Sequence, residues 1–593
     1  MDPILQKNID SLLEDLRQTG HDTSDPVTKL MLAALSHQVQ KIIDEINRLP
    51  RKVVKRLCAT YIPANKVKAF PALCMVLPTV KSKKGMEIHP LADDASFTFK
   101  LDNKKNLTYL PLFRNNLLPL DGIHVLKNRE FIFNGEKIDL NFSREGRVWL
   151  GLQLPAEVDT LENVSFYIKG TSGVLPEKIL IGNEETRLSF VTADKLSEVP
   201  MMEPFDSQQM SNESAEMMRN WQNILSPGET GTLLYINDRL RDRDVFKFKG
   251  FPKVFQQLME EKELEKLENT PMLWILFDFG QSYKVPADIK IIPNVMPVVN
   301  VNISTVTLTS SNPVAKLTKE EGSYFLGLVE TSLQTKKQGF SEISEEVIVR
   351  DFDAEVYNPE ELYRDIRTLY NRFIEDYHAF VDYHALKDGE LLRNMREVVN
   401  RISKSLPDVT ARKDKFDEGV YVMRSISLAG QPVPVKVSYL TTSGKLGNTP
   451  KRGDIMENKK AASLERNVKV VENSEGGTDK ATPDQEYELL RYYTLTADRL
   501  FTKMDIDAFL RLQLLKEFGK EEIKRIAHSI SIEGAGGATK LVRGLYIDIS
   551  FRDKKNYHKA LDISLDKKLH TMITERSCIA MPIIITLIDS SKD

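Results

Sequence analysis

Apolar residues recur at three- and four-residue steps between Val27 and Leu49, and this pattern constrains the fold more than any other. It predicts one amphipathic helix of roughly 35 Å, because an α-helix rises 1.5 Å per residue. Asp25-Pro26 precedes it, with Asp as the N-cap and Pro at the first helical position. A stripe this long needs a long partner surface. That surface can belong to this chain's own domain or to a helical bundle shared with another subunit, and periodicity leaves both open. The stripe residues that we expect at an interface are Leu30, Ala34, Leu35, Ile42 and Ile46.

Two shorter helical patterns flank this helix, and the three together predict an N-terminal helical segment over residues 1–62. Asp2-Pro3 opens the first pattern in the same way, and Gly20 ends it. Pro50 starts the last pattern, which carries apolar residues on one face as far as Tyr61.

From about Phe70 the period of the apolar residues changes to two, which predicts strands. Short runs separated by Pro, Gly and Asn predict a β-rich region of one or two domains over 63–290. Residues 202–225 are polar and rich in Met, so we interpret them as a surface excursion with a short helix. A further helix is predicted over Val254–Leu267. The clearest strand runs are Ala72–Leu77, Ser96–Leu101, Arg147–Leu154, Asn163–Ile168 and Leu188–Thr192.

The region 291–442 is predicted to be an α+β middle domain. Strand-like runs at 289–309 and 418–441 flank a helical block at about 359–405. The next stretch, 443–484, has little apolar content and is rich in Gly and charge. We therefore expect it to be an extended connector without a core.

The last region, 485–593, is predicted to fold as a small α/β sandwich. A helix at about 486–519 precedes strand Gly544–Phe551, a helix at 559–575 and a last strand, Pro582–Asp589. The predicted fold class is therefore α+β multidomain, with an N-terminal helical bundle segment, β-rich middle domains and a C-terminal α/β sandwich.

The last strand is an almost unbroken apolar run, which predicts a strand covered on both faces. The flanking helix can cover only one face. The other face needs either the chain's own helices over 505–529 or another subunit. The strand residues that we expect at such an interface are Ile583, Ile585 and Leu587.

Charge and cysteine content disfavour several classes of function. With 82 basic and 85 acidic side chains the formal net charge is −3, so nothing favours nucleic acid as a partner. The three cysteines show no metal-ligand spacing, and we expect Cys58 and Cys74 to be buried thiols in a reducing compartment. The N-terminus lacks the positive charge of a signal peptide, and no apolar run approaches the roughly 18–20 residues that cross a bilayer. We expect a cytoplasmic protein without direct membrane insertion.

No pattern for catalysis or cofactor binding stands out. His378 and His384 lie in one helical pattern with rings about 120° apart, so they cannot share a zinc ion. The loop Gly534–Lys540 has Thr539 before its Lys, and a strand follows it, so it does not match a phosphate-binding loop. We expect no catalytic, metal or cofactor-binding residues and no cofactor, which favours a scaffold over an enzyme.

Several segments resemble one family of proteins. Residues 25–71 are similar to the opening of the TssF proteins of type VI secretion systems, where a long helix begins with Asp-Pro and a Pro-containing first strand follows. The segment FKFKGFPKVFQQL at 246–258 resembles the family's Phe-x-Phe-Pro-Glu-Lys-Phe, with Lys253-Val254 replacing Glu-Lys. The segment NVMPVVN at 294–300 is similar to the family's Pro-Val-Val-Asn.

The C-terminal third is closer to the related phage baseplate J proteins. The segment SYLTTSGKLGN at 438–448 is similar to their Tyr-x-x-Thr-Asn-Gly-x-Leu-Gly-Asn, and NVKVVENSEGGTD at 467–479 resembles their Gly-Gly-x-Asp turn. A helical pattern and then Leu500–Asp505 follow, similar to their Val-Thr-x-x-Asp-Tyr. The order of these segments along the chain carries the resemblance more than any one of them.

The resemblance implies a structural wedge subunit in the baseplate of a contractile injection machine. It implies assembly with a TssG-like wedge partner, a second copy of the chain, and TssK-like and TssE-like subunits, with the spike hub as a further candidate contact. It also implies a place in the cytoplasm, at a baseplate docked under the inner membrane, and a role in transmitting the trigger for sheath contraction. A J-type wedge protein of a phage-like contractile tail is the neighbouring alternative. A cytosolic enzyme with an unrecognised site is the rival from a different class.

Overall fold

The computed structural model shows an α+β, multidomain protein in which several sheets are combined with helices, as the sequence predicts. Two compact units are formed, one from Met1–Val67, Asp351–Gly419 and Ala481–Asp593 and the other from Lys68–Arg350 and Val420–Lys480. The described residues are 53–58, 60–81, 89–91, 95–101, 105–128, 130–133, 136–139, 145–155, 158, 160–182, 186–202, 205, 212–228, 231–237, 251–268, 270, 272–318, 322–331, 337–341, 347–352, 359–384, 389–413, 418–425, 434–531, 544–577 and 581–590.

The elements are numbered here in chain order. The strands are β1 (Leu73–Leu77), β2 (His89–Pro90), β3 (Phe97–Lys100), β4 (Asn106–Pro111), β5 (Asn116–Leu117), β6 (Gly122–Lys127), β7 (Glu130–Phe133), β8 (Glu136–Asp139), β9 (Arg147–Gln153), β10 (Val164–Lys169), β11 (Lys178–Ile181), β12 (Thr186–Leu188), β13 (Phe190–Thr192), β14 (Thr232–Ile236), β15 (Leu273–Asp278), β16 (Lys290–Pro293), β17 (Met296–Val299), β18 (Asn302–Leu308), β19 (Val314–Lys316), β20 (Tyr324–Thr331), β21 (Lys337–Ser341), β22 (Val347–Phe352), β23 (Gly419–Arg424), β24 (Val435–Thr442), β25 (Ile455–Asn458), β26 (Asn467–Glu475), β27 (Ile526–Ser531), β28 (Leu545–Phe551) and β29 (Ile583–Asp589). The helices are α1 (Ala64–Val67), α2 (Asn212–Leu225), α3 (Glu261–Glu268), α4 (Pro359–His384), α5 (Gly389–Lys413), α6 (Pro483–Thr496), α7 (Lys503–Phe518), α8 (Lys520–Ile523), α9 (Lys554–Asp562) and α10 (Leu565–Arg576), with 3₁₀ turns at Lys253–Gln257 and Gly444–Asn448.

Strands from distant parts of the chain close a barrel in the second unit, in the order β1-β17-β4-β3-β25-β26. Cys74, Tyr109, Met456 and Val470 are fully buried in its core. The segment 443–484 supplies β25 and β26, so the prediction of an extended connector was wrong. In β26, Val468 and Val470 alternate with the exposed Asn467 and Lys469, and this period of two places both Val side chains in the core of the barrel.

The predicted middle-domain boundaries, at 290/291 and 442/443, also differ from the structure. Strands on either side of both boundaries belong to the second unit, and β17 and β26 both pair with β1. The boundaries of the two units depend on pairing between strands that are far apart in the sequence, and local composition cannot predict such pairing.

Two further sheets of this unit pack face to face. The larger has the order β12-β11-β15-β9-β6-β7-β8, and the smaller β13-β14-β10-β16. Phe166 of β10 and Phe277 of β15 meet in their shared core with ring centroids 5.7 Å apart. The other face of the larger sheet is covered by the first 3₁₀ turn, whose Phe255 packs edge-on against Trp274 at 4.7 Å. The single helix predicted over Val254–Leu267 is therefore a 3₁₀ turn followed by α3.

The described residues of 202–225, which are Met202, Phe205 and helix α2, contribute to a hydrophobic core, so the prediction of a surface excursion was wrong for them. Met202 and Met217 are buried, and Phe205 and Trp221 are fully buried with their rings in edge-on contact at 5.5 Å. Helix α2 is amphipathic: Met217, Trp221 and Leu225 pack inward, while Arg219 and Asn223 are exposed. The high average polarity of residues 202–225 therefore gave no indication that one face of α2 is buried.

Two more sheets have the orders β18-β24-β20-β21 and β19-β23-β22 and share a core that is mostly Val and Leu. Strands β2 and β5 form a two-stranded sheet. The helical block predicted at 359–405 is a pair of helices, α4 and α5, which pack against each other in the first unit.

The C-terminal module of the first unit is the predicted α/β sandwich. Strand β28 pairs antiparallel with β27 and parallel with β29. The predicted helix at 486–519 is split at Ala497, whose φ of 45° is left-handed, and Ser564 with a φ of 48° splits the helix at 559–575. Capping boxes at Thr482 and Thr502 begin α6 and α7.

Candidate functional site

Three of the segments that carry the family resemblance meet at one place in the second unit. They are the end of NVMPVVN, the turn after β24 and the turn after β26. We call this place the glycine junction and define it by Asn300, Gly444–Asn448 and Gly477–Asp479. All of these residues lie in the described part of the chain.

Asn300 ties the junction to the barrel. Its side chain is 2% exposed, and its Nδ2 donates to the carbonyl oxygen of Thr108 at 3.0 Å. Its Oδ1 accepts from the backbone N–H of Ser443 at 3.0 Å and from the hydroxyl of Thr442 at 3.2 Å. An amide can donate and accept at once, so this single side chain links three separate stretches of chain.

Two glycine turns approach each other here backbone to backbone. A Cβ added at Gly477 would lie 2.4 Å from the carbonyl oxygen of Gly444, and one at Gly444 would lie 2.3 Å from Asp479 Oδ1. Gly444 also has a left-handed φ of 54°. Any side chain would therefore force the two turns apart.

Hydrogen bonds close the contact between the turns. Asn448 donates through Nδ2 to the carbonyl oxygen of Gly477 at 2.8 Å and accepts the Gly477 N–H through Oδ1 at 2.9 Å. Asp479 Oδ1 accepts from the backbone N–H of Lys445 at 2.8 Å. Phe70 and Thr478 exchange backbone hydrogen bonds of 2.9 and 3.0 Å, which holds the second turn to the start of the unit.

The polar groups beneath the junction are held in their neutral forms. The hydroxyls of Tyr109 and Ser474 both donate to the carbonyl oxygen of Gly447, at 2.6 and 2.7 Å. Burial raises the pKa of Cys74 to about 12 and raises the pKa of Tyr109 far above its ordinary value. A catalytic nucleophile needs the opposite shift. The arrangement fixes a joint in the chain.

The predicted buried thiols are confirmed for Cys58 and Cys74, which are 3% and 0% exposed. Burial also raises the pKa of Cys58, to about 11. Among the described residues no cluster of His, Cys, Asp and Glu could hold a metal ion. None of the helices in the described ranges is long and apolar enough to cross a membrane. The loop Gly534–Lys540 and the side chains of His378 and His384 lie outside the described residues.

The predicted interface residues of the last strand face the core of their own module. Ile583, Ile585 and Leu587 are half-buried and pack against the same hydrophobic cluster as β28. Ile584 and Ile588, on the other face of the strand, are 37% and 38% exposed, so the chain's own helices over 505–529 do not cover that face. Cover by another subunit stays a prediction. An apolar strand at a sheet edge thus presents its even-numbered residues outward.

The remaining predicted interface residues, Leu30, Ala34, Leu35, Ile42 and Ile46, lie outside the described residues. The glycine junction itself was not predicted as a site. The resemblance to known families had marked the three segments that form the junction, but nothing in the sequence indicated that they lie next to one another.

Comparison with known proteins gives structural likeness only. No family model matches the chain, and no curated protein does. A solved structure of a type VI secretion TssK-TssF-TssG baseplate subcomplex matches with a TM-score of 0.38 and 11% identity, over 95% of this chain and 96% of that one. A baseplate complex from the type VI secretion system matches with a TM-score of 0.32 and 11% identity, over 99% and 97%. Identity this low transfers no residue roles.

Proposed function

We propose that this chain is a structural wedge subunit in the baseplate of a type VI secretion system. The observation that carries the proposal is the glycine junction. Segments that resemble wedge proteins, although far apart in the sequence, form one hydrogen-bonded contact through Asn300, Asn448 and Gly477. Such a joint holds strands from three stretches of chain in fixed register, which suits a part that must stay rigid under load.

The proposed partners follow from the resemblance. The chain assembles with TssG-like, TssK-like and TssE-like subunits and with a second copy of itself, and the spike hub is a further candidate. The complex stands in the cytoplasm, at a baseplate docked under the inner membrane. The chain transmits the conformational trigger for sheath contraction and needs no substrate or cofactor.

Two surfaces are proposed for assembly. The first is the apolar stripe of residues 26–49, including Leu35 and Ile42, which contributes to a helical bundle shared with the TssG-like partner. The second is the outward face of the last strand, where Ile584 and Ile588 are exposed beside a covered inner face. An unprotected apolar edge strand is a ready site for contact with another chain.

Co-purification tests the proposal. The tagged chain should recover a TssG-like protein from its own cells, and Leu35→Asp or Ile42→Asp should abolish that recovery, since an unpaired charge in the bundle costs several kcal/mol. Full recovery with both variants would contradict the shared bundle. Recovery of phage tail proteins would favour the J-type alternative, and a monomer that turns over a small molecule would favour the enzyme.

Deletion of residues 500–593 tests the role of the C-terminal module. We expect the truncated chain to retain its partner through the N-terminal helices and to fail in assembly of the complete baseplate. Secretion by cells that carry only the truncated chain would refute this role.

A further inference from the structure

An open pocket of about 460 Å³ lies in the C-terminal module, where the link between α6 and α7 meets the end of α10. Such a volume is large enough to hold a side chain of another molecule. The backbone N–H of Leu500 donates to the carbonyl oxygen of Arg576 at 2.9 Å, which holds the link to α10. The pocket lies wholly within the first unit, whereas the glycine junction belongs to the second. Its lining residues are Asp498, Arg499, Phe501, Glu575, Arg576 and Ser577.

The guanidinium of Arg576 is held in place, and part of it is unused. Its Nε lies 3.3 Å from Asp498 Oδ1, and its Nη1 donates to the carbonyl oxygen of Met572 at 2.9 Å. The same group lies over the ring of Phe509, 5.8 Å from the centroid. Its Nη2 has no partner among the residues that the structure describes, so two N–H groups remain available. A guanidinium that is already positioned loses little freedom when it binds an anion.

The residue that anchors Arg576 lies in a strained turn. Ala497 and Asp498 have left-handed φ values of 45° and 63°, which residues other than Gly seldom adopt. The hydroxyl of Tyr492 donates to Asp498 Oδ1 at 2.8 Å, and this is the oxygen that faces Arg576. Asp498 is thus fixed by its neighbours on one side and fixes Arg576 on the other. Strain of this kind is common at binding sites, where surrounding groups hold it in place.

Positive charge is in excess around the pocket. Arg499 is exposed and forms no ion pair within the described ranges of the chain. Lys516 is close enough to Arg576 and Asp498 to interact with both charges. Burial, and then the positive charges of Lys66 and Arg576, lower the pKa of Lys516 to about 8. Each of these cations acts on Lys516 more strongly than either of the nearby acids, so the local potential is positive.

We propose that this pocket binds the carboxylate of an Asp or Glu side chain on a partner protein. Two Arg side chains with unused N–H groups match the planar oxygens of a carboxylate. Asp498 and Glu575 also line the pocket, and their charges disfavour the second negative charge of a phosphate.

The rim of the pocket suits a protein partner better than a small free acid. Phe501 is 62% exposed, and Met504 in the first turn of α7 is 68% exposed. Exposed aromatic side chains beside arginine are typical of the residues that contribute most to protein contacts. Carboxylate binding here depends only on the groups in the pocket, so it stands whether or not the chain is a baseplate subunit.

Titration of the purified full chain with para-fluorophenylacetate, followed by fluorine NMR, tests the chemistry of the pocket. This probe carries one carboxylate beside an aromatic ring, and we expect a Kd of about 1–10 mM for so small a ligand. Arg499→Ala should weaken binding by about threefold to tenfold, because it removes one charged donor without breaking an internal ion pair. The matched control is Arg552→Ala, which removes another exposed Arg of the same module that does not line the pocket and should leave binding unchanged.

Two further probes separate the alternatives. Equal binding of the neutral para-fluorobenzyl alcohol would show that the pocket does not recognise an anion. Tighter binding of para-fluorophenyl phosphate would assign the pocket to phosphate and overturn the carboxylate assignment. No saturable binding of para-fluorophenylacetate, or equal binding by Arg499→Ala and Arg552→Ala, would also overturn the proposal.

Photo-cross-linking from position 501 in cells identifies the bound group. The full chain with Phe501→para-benzoylphenylalanine should become attached to a partner peptide that carries Asp or Glu close to the point of attachment, as read by mass spectrometry. The yield should fall with Arg499→Ala and stay unchanged with Arg552→Ala. A peptide without an acidic residue there, equal yields in the two variants or no cross-link would overturn the proposal. An acidic peptide from a protein outside the baseplate would support the carboxylate site and count against the proposed function.

Discussion

The sharpest test of the glycine junction is Gly477→Ala. The new methyl group would lie 2.4 Å from the carbonyl oxygen of Gly444 and 2.9 Å from Asn448 Oδ1. Gly477 has no left-handed φ, so the cost is steric and does not come from backbone strain. Overpacking a tight site costs about 1–3 kcal/mol, and loss of the two Asn448 hydrogen bonds adds about 1 kcal/mol each. We expect the junction to be destabilised by about 3–5 kcal/mol.

The assay is the rate at which Cys74 reacts with a thiol reagent, measured by mass spectrometry of the labelled peptide. Cys74 is 0% exposed inside the barrel, so it reacts only when the barrel opens. An opening made easier by about 3 kcal/mol accelerates labelling by about a hundredfold. Cys58 in the other unit is an internal control and should label at the wild-type rate.

A matched substitution isolates the steric cause. A Cβ at Gly228 would meet nothing closer than 3.7 Å, and Gly228 has no left-handed φ. Gly228→Ala should therefore change stability by less than about 1 kcal/mol. If Gly477→Ala labels Cys74 no faster than Gly228→Ala does, the close approach of the two turns is not what holds the barrel shut.

Four further predictions follow from the structure. Asn300→Ala should lower the free energy of unfolding by about 2–4 kcal/mol in a urea titration, because it leaves buried backbone partners unpaired, and a loss within error of zero would contradict its linking role. Burial and nearby cations lower the pKa of Lys516 from 10.5 to about 8. Between these two pH values the unfolded state binds more protons than the folded state, so the stability of the wild type should rise with pH across that window. The melting temperature of the wild type should therefore rise over this range by more than that of Lys516→Met. Ile585→Asp should lower the melting temperature of the C-terminal module more than Ile584→Asp, since Ile585 packs inward and Ile584 is exposed, and equal shifts would argue against the observed facing. In limited proteolysis the chain should be cut within 443–484 no faster than within β1 to β4. Earlier cleavage within 443–484 would support the original prediction that this segment is an extended connector.

Some features of this protein follow from its sequence alone. Runs of strand-forming residues with turn residues between them predicted β1, β3, β9 and β10 to within one residue at each end, because strand propensity and turn signals are local properties. The α/β order of the C-terminal module was predicted for the same reason. The end of helix α6 at Ala497 was not predicted, because Ala497 adopts a left-handed φ and no Gly or Pro marks the position.

Tertiary structure decided the rest, and the reason is long-range pairing. The sequence of β26 is too polar to predict a place in a core. Its pairing with β1 and β25 nevertheless places Val468 and Val470 inside the barrel. The last strand looked buried on both faces, but the hydrophobic cluster of its module lies on one face of the sheet, and Ile584 and Ile588 on the other face are exposed. The glycine junction likewise exists only when turns about 30 residues apart along the chain close on Asn300, and no local pattern records that closure.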